Sequence, residues 1–315
     1  MIETAHPEPA LSLRVLATRA VAVGVREFVL DRPGGGPLPR WEPGAHIDLL
    51  LGGGLVRQYS LCGDPGDATT WRIAVLREPG SRGGSVHLHD AVRPGDVLGA
   101  RGPRNHFRLR PAPAYLFVAG GIGITPLLPM IGAVAAERAE WRLLYGGRQR
   151  MSLAYADELA AHGPRVQVRP QDETGLLDID AALASAPPDA LVYCCGPEPL
   201  LRAVEQRCAP ERLQVERFAP RDTRGGTGPF DVVLRRSGRR IHVDAETSLL
   251  SALERAGVAV LPSCREGTCG SCETAVLAGR PDHRDSVLDE TDRTEGTTMM
   301  ICVSRSLTPE LELDL

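Results

Sequence analysis

The chain has 315 residues, of which 43% are hydrophobic and 24% charged, and its formal net charge is −4. That length exceeds one small core and calls for two or three domains, while so mild a charge gives no reason to expect nucleic acid or an anionic membrane as partner. No apolar run approaches the ~18 residues of a membrane span, and the N-terminus lacks a basic region followed by an apolar one. Eight cysteines in a chain of this length do not suggest a disulfide framework, so a cytoplasmic protein with reduced thiols is expected.

Between residues 12 and 100, short β-like runs (20–30, 46–51, 71–76 and the approach to Val97-Leu98) alternate with breakers. These are Pro33-Gly34-Gly35-Gly36, Gly52-Gly53-Gly54, Pro79-Gly80 and Pro94-Gly95. Short strands at this spacing predict a small antiparallel β-barrel. Within it, Arg57-Gln58-Tyr59-Ser60-Leu61 sets Arg57 and Tyr59 on one face of a strand and Gln58 and Ser60 on the other. Ser81-Arg82-Gly83-Gly84-Ser85 then leads into a short helix at 86–90. Backbone N–H groups of such a turn cradle an anion, and Ser85 adds a hydroxyl. A guanidinium, an aromatic ring, a hydroxyl and a phosphate cradle are the parts needed to hold a flavin mononucleotide. His87 and His89 stand at i and i+2, positions that do not face each other on a helix, and are read as structural rather than ligating.

Tyr115-Leu116-Phe117-Val118-Ala119 is an apolar run of the kind found in buried parallel strands. It enters Gly120-Gly121-Ile122-Gly123-Ile124-Thr125-Pro126, after which 127–140 reads as a helix. Strand, glycine turn and helix make a phosphate-binding unit, and Pro126 suits a first helical turn. Further alternation follows: strand 141–145, helix 152–161, strand 166–168, helix 178–186, and a buried strand at 190–193. The last of these ends in Cys194-Cys195-Gly196-Pro197, before a helix at 200–206. Repeated βα units predict an open parallel sheet with ligand beyond its carboxyl edge, where both glycine loops lie. Gly146-Gly147-Arg148-Gln149-Arg150 offers two arginines to a 2′-phosphate. Residues 215–218 read as the last strand.

Residues 219–229 lack apolar periodicity and read as a linker. Strands at 230–234 and 240–243 flank Ser237-Gly238 as a hairpin, Thr247 is expected to cap a helix over 248–256, and Gly257 to end it. Cys264, Cys269 and Cys272 follow with the spacing C-x4-C-x2-C, and Cys302 comes later. Four thiolates in this order are the ligand set of a plant-type [2Fe–2S] cluster. Gly267, Gly270 and Ser271 let the backbone wrap closely and aim N–H groups at sulfur. A structural zinc site is the alternative, but zinc ribbons usually present two C-x2-C knuckles and only one is present. Residues 230–315 carry ten Arg against fifteen Asp plus Glu, an acidic balance that could steer docking.

Arg-x-Tyr-Ser followed by Gly-Gly-Ser, with Gly102-Pro103-Arg104-Asn105-His106-Phe107 closing the domain, resembles the flavin site of the ferredoxin–NADP reductase superfamily in its phthalate dioxygenase reductase branch. The loops 120–126 and 195–197 resemble the nicotinamide dinucleotide domain of that superfamily, and 230–315 resembles a plant-type ferredoxin. The resemblance implies an FMN-binding β-barrel domain (1–110), an NAD(H)-binding α/β parallel-sheet domain (111–219), a linker (220–229) and an α+β, β-grasp ferredoxin domain (230–315). Arg57 would pair with the flavin phosphate, Gln58 would count among the cofactor-binding residues of the motif, Tyr59 would pack on the isoalloxazine, and Ser60 would lie near N5. Gly83, Gly84 and Ser85 would hold the phosphate. Gly120, Gly121, Gly123, Thr125, Pro126, Cys195, Gly196 and Pro197 would form the dinucleotide site, with Thr125 and Cys195 beside the nicotinamide. Phe218 would be a flavin shield or an ordinary core residue. The branch generally uses NADH, so NADH is expected over NADPH.

The implied activity is electron transfer from NADH through FMN and the cluster to a Rieske-type oxygenase or O-demethylase. A bacterial cytochrome P450 is the alternative acceptor. The other reading is a stand-alone flavin reductase whose last cysteines are a metal-binding interaction module. No paired Cys-x-His motifs and no evident 2-His-1-carboxylate site are found, so oxygen activation is expected on another protein.

Overall fold

Alternating buried positions such as Leu13 and Val15, or Phe28 and Leu30, mark the strands that open the chain. The computed structural model describes residues 11–78, 80, 83–221 and 228–315. They fall into two compact units that divide between Glu216 and Arg217. The expected linker lies largely outside the described residues.

The first unit begins with β1 (Leu11–Ala22), β2 (Val25–Asp31), β3 (His46–Leu50), β4 (Val56–Ser60), β5 (Thr70–Leu76), helix α1 (Gly84–Asp90) and β6 (Val97–Arg104). The six strands form one sheet in the order β4-β3-β6-β1-β2-β5. Among the described residues its two edges share one isolated bridge, Leu61 to Ile73, so the expected barrel is an antiparallel sheet and not a closed barrel. The run 20–30 is a hairpin and not one strand, because Gly24 takes φ 75° between β1 and β2. Trp71, Phe28, Leu30, Ile47 and Leu49 fill the interior, each such burial contributing roughly 1.5–3 kcal/mol.

Five parallel strands follow: β7 (Ala114–Gly120), β8 (Glu140–Gly147), β9 (Val166–Pro170), β10 (Leu191–Cys195) and β11 (Leu213–Glu216), ordered β11-β10-β7-β8-β9. The helices between them are α2 (Leu127–Ala136), α3 (Ala156–Ala160), α4 (Gln171–Thr174), α5 (Ile179–Ser185) and α6 (Glu198–Glu205). α2 ends short of the expected 140 because Arg138 turns left-handed, at φ 59°, to enter β8. The helix expected over 152–161 shrinks to α3 because Tyr155 is also left-handed, at φ 59°. That conformation, strained for a residue with a Cβ, accompanies a hydrogen bond from the Tyr155 hydroxyl to Glu27 of β2 at 2.9 Å. The two sheets share one apolar core: Val25, Cys62, Ala74 and Phe107 pack with Phe117, Tyr145 and Tyr193.

The second unit contains β12 (Phe230–Leu234), β13 (Arg239–Val243), α7 (Leu249–Arg255), β14 (Glu273–Ala278), β15 (Pro281–Asp282), α8 (Glu290–Glu295), β16 (Thr298–Met300), β17 (Arg305–Ser306) and β18 (Glu310–Leu313). Its main sheet runs β13-β12-β18-β14-β16, with β15 paired to β17. The β12–β13 hairpin turns at Gly238, φ 66°, as expected. α7 buries Leu249, Leu250 and Leu253. Its cap is Ser248 rather than Thr247: the Ser248 hydroxyl accepts from the Ser251 N–H at 3.1 Å. Among the described residues no helix is long and apolar enough to cross a membrane.

Candidate functional site

β4 pairs with β3 so that His46 faces Ser60 and Asp48 faces Gln58. Directly opposed residues share a face, which separates Gln58 and Ser60 from Arg57 and Tyr59, as alternation predicts. The Gln58 amide donates to Asp48 at 2.8 Å, and the Arg104 guanidinium reaches the same oxygen at 2.7 Å. Gln58 is thus tied into a buried polar group on the face away from Arg57.

On the Arg57 face the chain closes tightly. A Cβ at Gly84 would lie 2.5 Å from Arg57 Cγ, so only glycine lets the start of α1 approach the arginine. Gly83 makes the turn at φ 92°. Ser85 is about nine-tenths buried, and its hydroxyl accepts from the Glu78 N–H at 3.1 Å. Burial pushes the Tyr59 phenol well above its ordinary range, against a smaller pull from Arg57, so the ring stays neutral. Arg57, Gly83, Gly84 and Ser85 make a cationic cradle that fits a phosphate, and Tyr59 supplies a neutral ring plane. Ser81 and Arg82 of the expected turn lie outside the described residues.

The two glycine loops stand at the carboxyl ends of adjacent strands, β7 and β10. They touch. A Cβ at Gly120 would lie 2.6 Å from Pro197 Cδ, one at Gly196 2.9 Å from Gly120 Cα, and one at Gly123 2.2 Å from the Cys195 carbonyl oxygen. Gly121, at φ 55°, opens onto free space, and its carbonyl accepts from the Tyr145 hydroxyl at 3.2 Å. Thr125 is buried and donates to the Ile122 carbonyl at 3.0 Å, just before Pro126, which stands at the N-cap of α2. All eight residues expected at the dinucleotide site are therefore gathered at one edge of the sheet, where the glycines leave backbone open to a ligand's approach.

Cys195 is fully buried and faces Glu216 across β10 and β11, with Sγ 3.9 Å from Oε2. Burial pushes the Glu216 carboxyl up to about 8, with the Cys195 contact pulling the other way. Burial and then the Glu216 charge push the Cys195 thiol well above its usual range. At neutral pH both are mainly protonated, so the thiol is not poised as a nucleophile. Glu216 was not singled out in the sequence. Its signal was an acid at the carboxyl end of a strand whose neighbour carries a motif cysteine. Phe218 is 47% exposed, so it is not a core residue.

Beyond β8 and β9 a cavity of about 670 Å³ is lined by Gln149, Arg150, Asp157, Glu158, Asp172 and Glu173 among others. Arg150 is engaged by Glu173 through two bonds of 2.9 and 2.6 Å. One of the two arginines expected to meet a 2′-phosphate is therefore already neutralised, amid further carboxylates.

In the second unit, left-handed residues Arg265 (φ 59°), Gly267 (φ 69°) and Gly270 (φ 72°) curl the chain around the cysteines. The N–H groups of Glu266 and Thr268 point at Cys264 Sγ (3.3 and 3.4 Å), and that of Cys264 points at Cys269 Sγ (3.5 Å). Ser271 Oγ lies 3.1 Å from Cys269 Sγ. Cys264 is in hydrogen-bonding reach of Cys269 and Cys302, which hold its thiol far below the ordinary range, and Cys302 also reaches Cys272. The four sulfurs are linked in one chain, Cys269 to Cys264 to Cys302 to Cys272. A two-iron core takes two thiolates per iron, four in all. The donor set, all sulfur with N–H groups aimed at it, fits a [2Fe–2S] cluster.

Residues 232–307 match the 2Fe-2S iron-sulfur cluster binding domain, and residues 117–206 the oxidoreductase NAD-binding domain. The chain is 47% identical over 310 residues to phenoxybenzoate dioxygenase subunit beta of Ectopseudomonas oleovorans, covering 97% of each. The solved structure of phthalate dioxygenase reductase, described as a modular structure for electron transfer from pyridine nucleotides to [2Fe-2S], superposes with a TM-score of 0.70 at 37% identity, covering 97% of this chain and 98% of that one. An intact type IV self-sufficient cytochrome P450 monooxygenase superposes with a TM-score of 0.91 at 41% identity; the match covers all of this chain but only 43% of that one.

Proposed function

The chain belongs to the phthalate dioxygenase reductase family of oxygenase reductases, and from that membership we propose that it carries electrons from NADH, by way of FMN and a [2Fe–2S] cluster, to a separate oxygenase component. When bound, FMN accepts a hydride and the cluster carries one electron at a time; those reactions belong to the cofactors. The chain's own residues bind and orient. Arg57 with Gly83, Gly84 and Ser85 would hold the flavin phosphate, Tyr59 would cover the ring, and Ser60 would stand near the hydride-accepting edge. The loops 120–126 and 195–197 would hold the dinucleotide, with Thr125 and Cys195 beside the nicotinamide and Phe218 shielding the flavin. Cys264, Cys269, Cys272 and Cys302 would ligate the irons. Domain limits of 1–110, 111–219 and 230–315, with 220–229 as linker, and a cytoplasmic location complete the reading.

The observation that carries it is the cysteine loop: backbone N–H groups aimed at the Cys264 and Cys269 sulfurs serve a core that gains negative charge on reduction. The acid-lined cavity and the Arg150–Glu173 pair favour NADH over NADPH. Anaerobic titration with NADH should bleach flavin absorption bands and raise the electron paramagnetic resonance signal of a reduced [2Fe–2S] cluster. A spectrum with flavin bands alone would overturn the reading. For the acceptor, a Rieske-type oxygenase is favoured by the full-length match to a dioxygenase subunit. A cytochrome P450 is the second reading, favoured by the superposition on the reductase part of a fused P450.

Glu216 predicts a pH dependence of stability. Its carboxyl titrates near 8 in the fold and near 4.5 in an unfolded chain. Between those values the folded state holds the extra proton, so this contribution to stability falls as pH rises and levels off above about 8. Glu216→Gln should match the wild type near pH 4.5 and exceed it above pH 8, by on the order of 3 kcal/mol after allowing for partial exposure. Thermal melts across pH 4.5–9 measure this, and a pH-independent difference would show that Glu216 does not titrate as described.

A further inference from the structure

Behind the cluster loop lies a buried charge that the ligand set does not use. Asp285 is fully buried. Its Oδ2 accepts from the N–H groups of Val287 (2.9 Å) and Leu288 (2.8 Å) and from the Arg293 guanidinium (3.2 Å). Its Oδ1 is buried with no hydrogen-bond partner among the described residues. Arg293, whose side chain is 12% exposed, is held in turn by the carbonyls of Asp285 (2.7 Å), Leu288 (3.0 Å) and His283 (3.4 Å). An ion pair so fixed cannot reorient to screen a change of charge nearby.

This pair abuts the loop directly. A Cβ at Gly267 would lie 3.0 Å from Asp285 Cα and 2.6 Å from a methyl of Val303, the residue after Cys302. The Ser286 N–H donates to the Gly267 carbonyl at 2.7 Å. The Ser286 hydroxyl donates to the Ala219 carbonyl (3.3 Å) and accepts from the Arg221 N–H (3.2 Å). The strap 285–286 thus presses on the loop between the first two ligands and ties it to the chain that enters this unit.

We infer that Asp285, held by Arg293, sets the reduction potential of the cluster by placing a fixed negative charge against the ligand loop, a role resting on the cluster reading above. Reduction adds an electron to a core already rich in thiolate charge. An adjacent buried carboxylate opposes that addition, and its guanidinium partner offsets the effect.

Potentiometric titration of the loaded full-length protein, followed by electron paramagnetic resonance, tests this. Asp285→Asn should shift the midpoint upward with the signal retained, Arg293→Gln should shift it downward, and Ser286→Ala, which removes a hydroxyl but no charge, should leave it in place. NADH-to-dye turnover at the flavin should stay at the wild-type rate in all three. An unmoved midpoint in Asp285→Asn overturns the proposal. An equal shift in Ser286→Ala also overturns it, because displacement of the loop would then be the cause. If Asp285→Asn fails to load a cluster, Arg293→Gln decides: a downward shift supports the proposal and an unmoved midpoint overturns it. A wild-type protein without any cluster signal would sink the cluster reading instead.

Discussion

Cys272→Ser should leave NADH-to-dye turnover at the flavin close to wild type while delivery to cytochrome c or to an oxygenase partner falls by more than about 100-fold, the upper range for damage to a metal centre. The separation follows from the chain's division. Every residue gathered around the two glycine loops precedes Arg217, and all four cysteines follow it. Cys272 is 6% exposed and packs in the apolar core of its unit. A buried serine hydroxyl left unpaired costs about 1–3 kcal/mol, so the variant's melting curve has to accompany the assay. Parallel loss of both activities would mean that the loop folds the protein rather than conducting electrons.

Gly123→Ala is the second large effect. The new methyl would stand 2.2 Å from the Cys195 carbonyl oxygen and 2.7 Å from the Gly196 nitrogen. Both are backbone atoms, so no side chain can swing aside and the loops must part. Misplacement by about 1 Å at a hydride-transfer site costs on the order of 100-fold, and stopped-flow reduction of the flavin by NADH should slow by that amount. Flavin content and the dithionite-reduced cluster signal should be unchanged. Gly121→Ala is the control: its Cβ meets nothing within 4 Å, though φ 55° charges a left-handed penalty of roughly 1–2 kcal/mol. Equal slowing in both would show that contact between the loops is irrelevant.

Much of this was legible before any coordinates. The cysteine spacing is local and chemically narrow, and the glycine loops announce themselves through the apolar strands that feed them. Elements failed where a single residue took an unexpected φ, as at Arg138 and Tyr155. No periodicity reports such a turn, since it answers to a distant partner; for Tyr155 that partner is Glu27, in another sheet. The same reason hid Glu216 and Asp285. Each matters through a residue remote in sequence, Cys195 or Gly267, and an acid on a strand or in a loop otherwise reads as solvated surface. Gln58 adds a second case: its bond to Asp48, ten residues earlier, follows from strand register and not from the motif itself.

The common core of the two sheets has a meaning for distance tolerance. Hydride transfer demands reacting atoms about 3–3.5 Å apart, a margin that independent domains would squander through thermal drift. Here the antiparallel and the parallel sheet are welded by Phe107, Tyr193 and the Tyr155–Glu27 bond, so any ring held by one is indexed to any ring held by the other. The four cysteines lie outside this weld, beyond Arg217, and single-electron transfer sets no such tolerance.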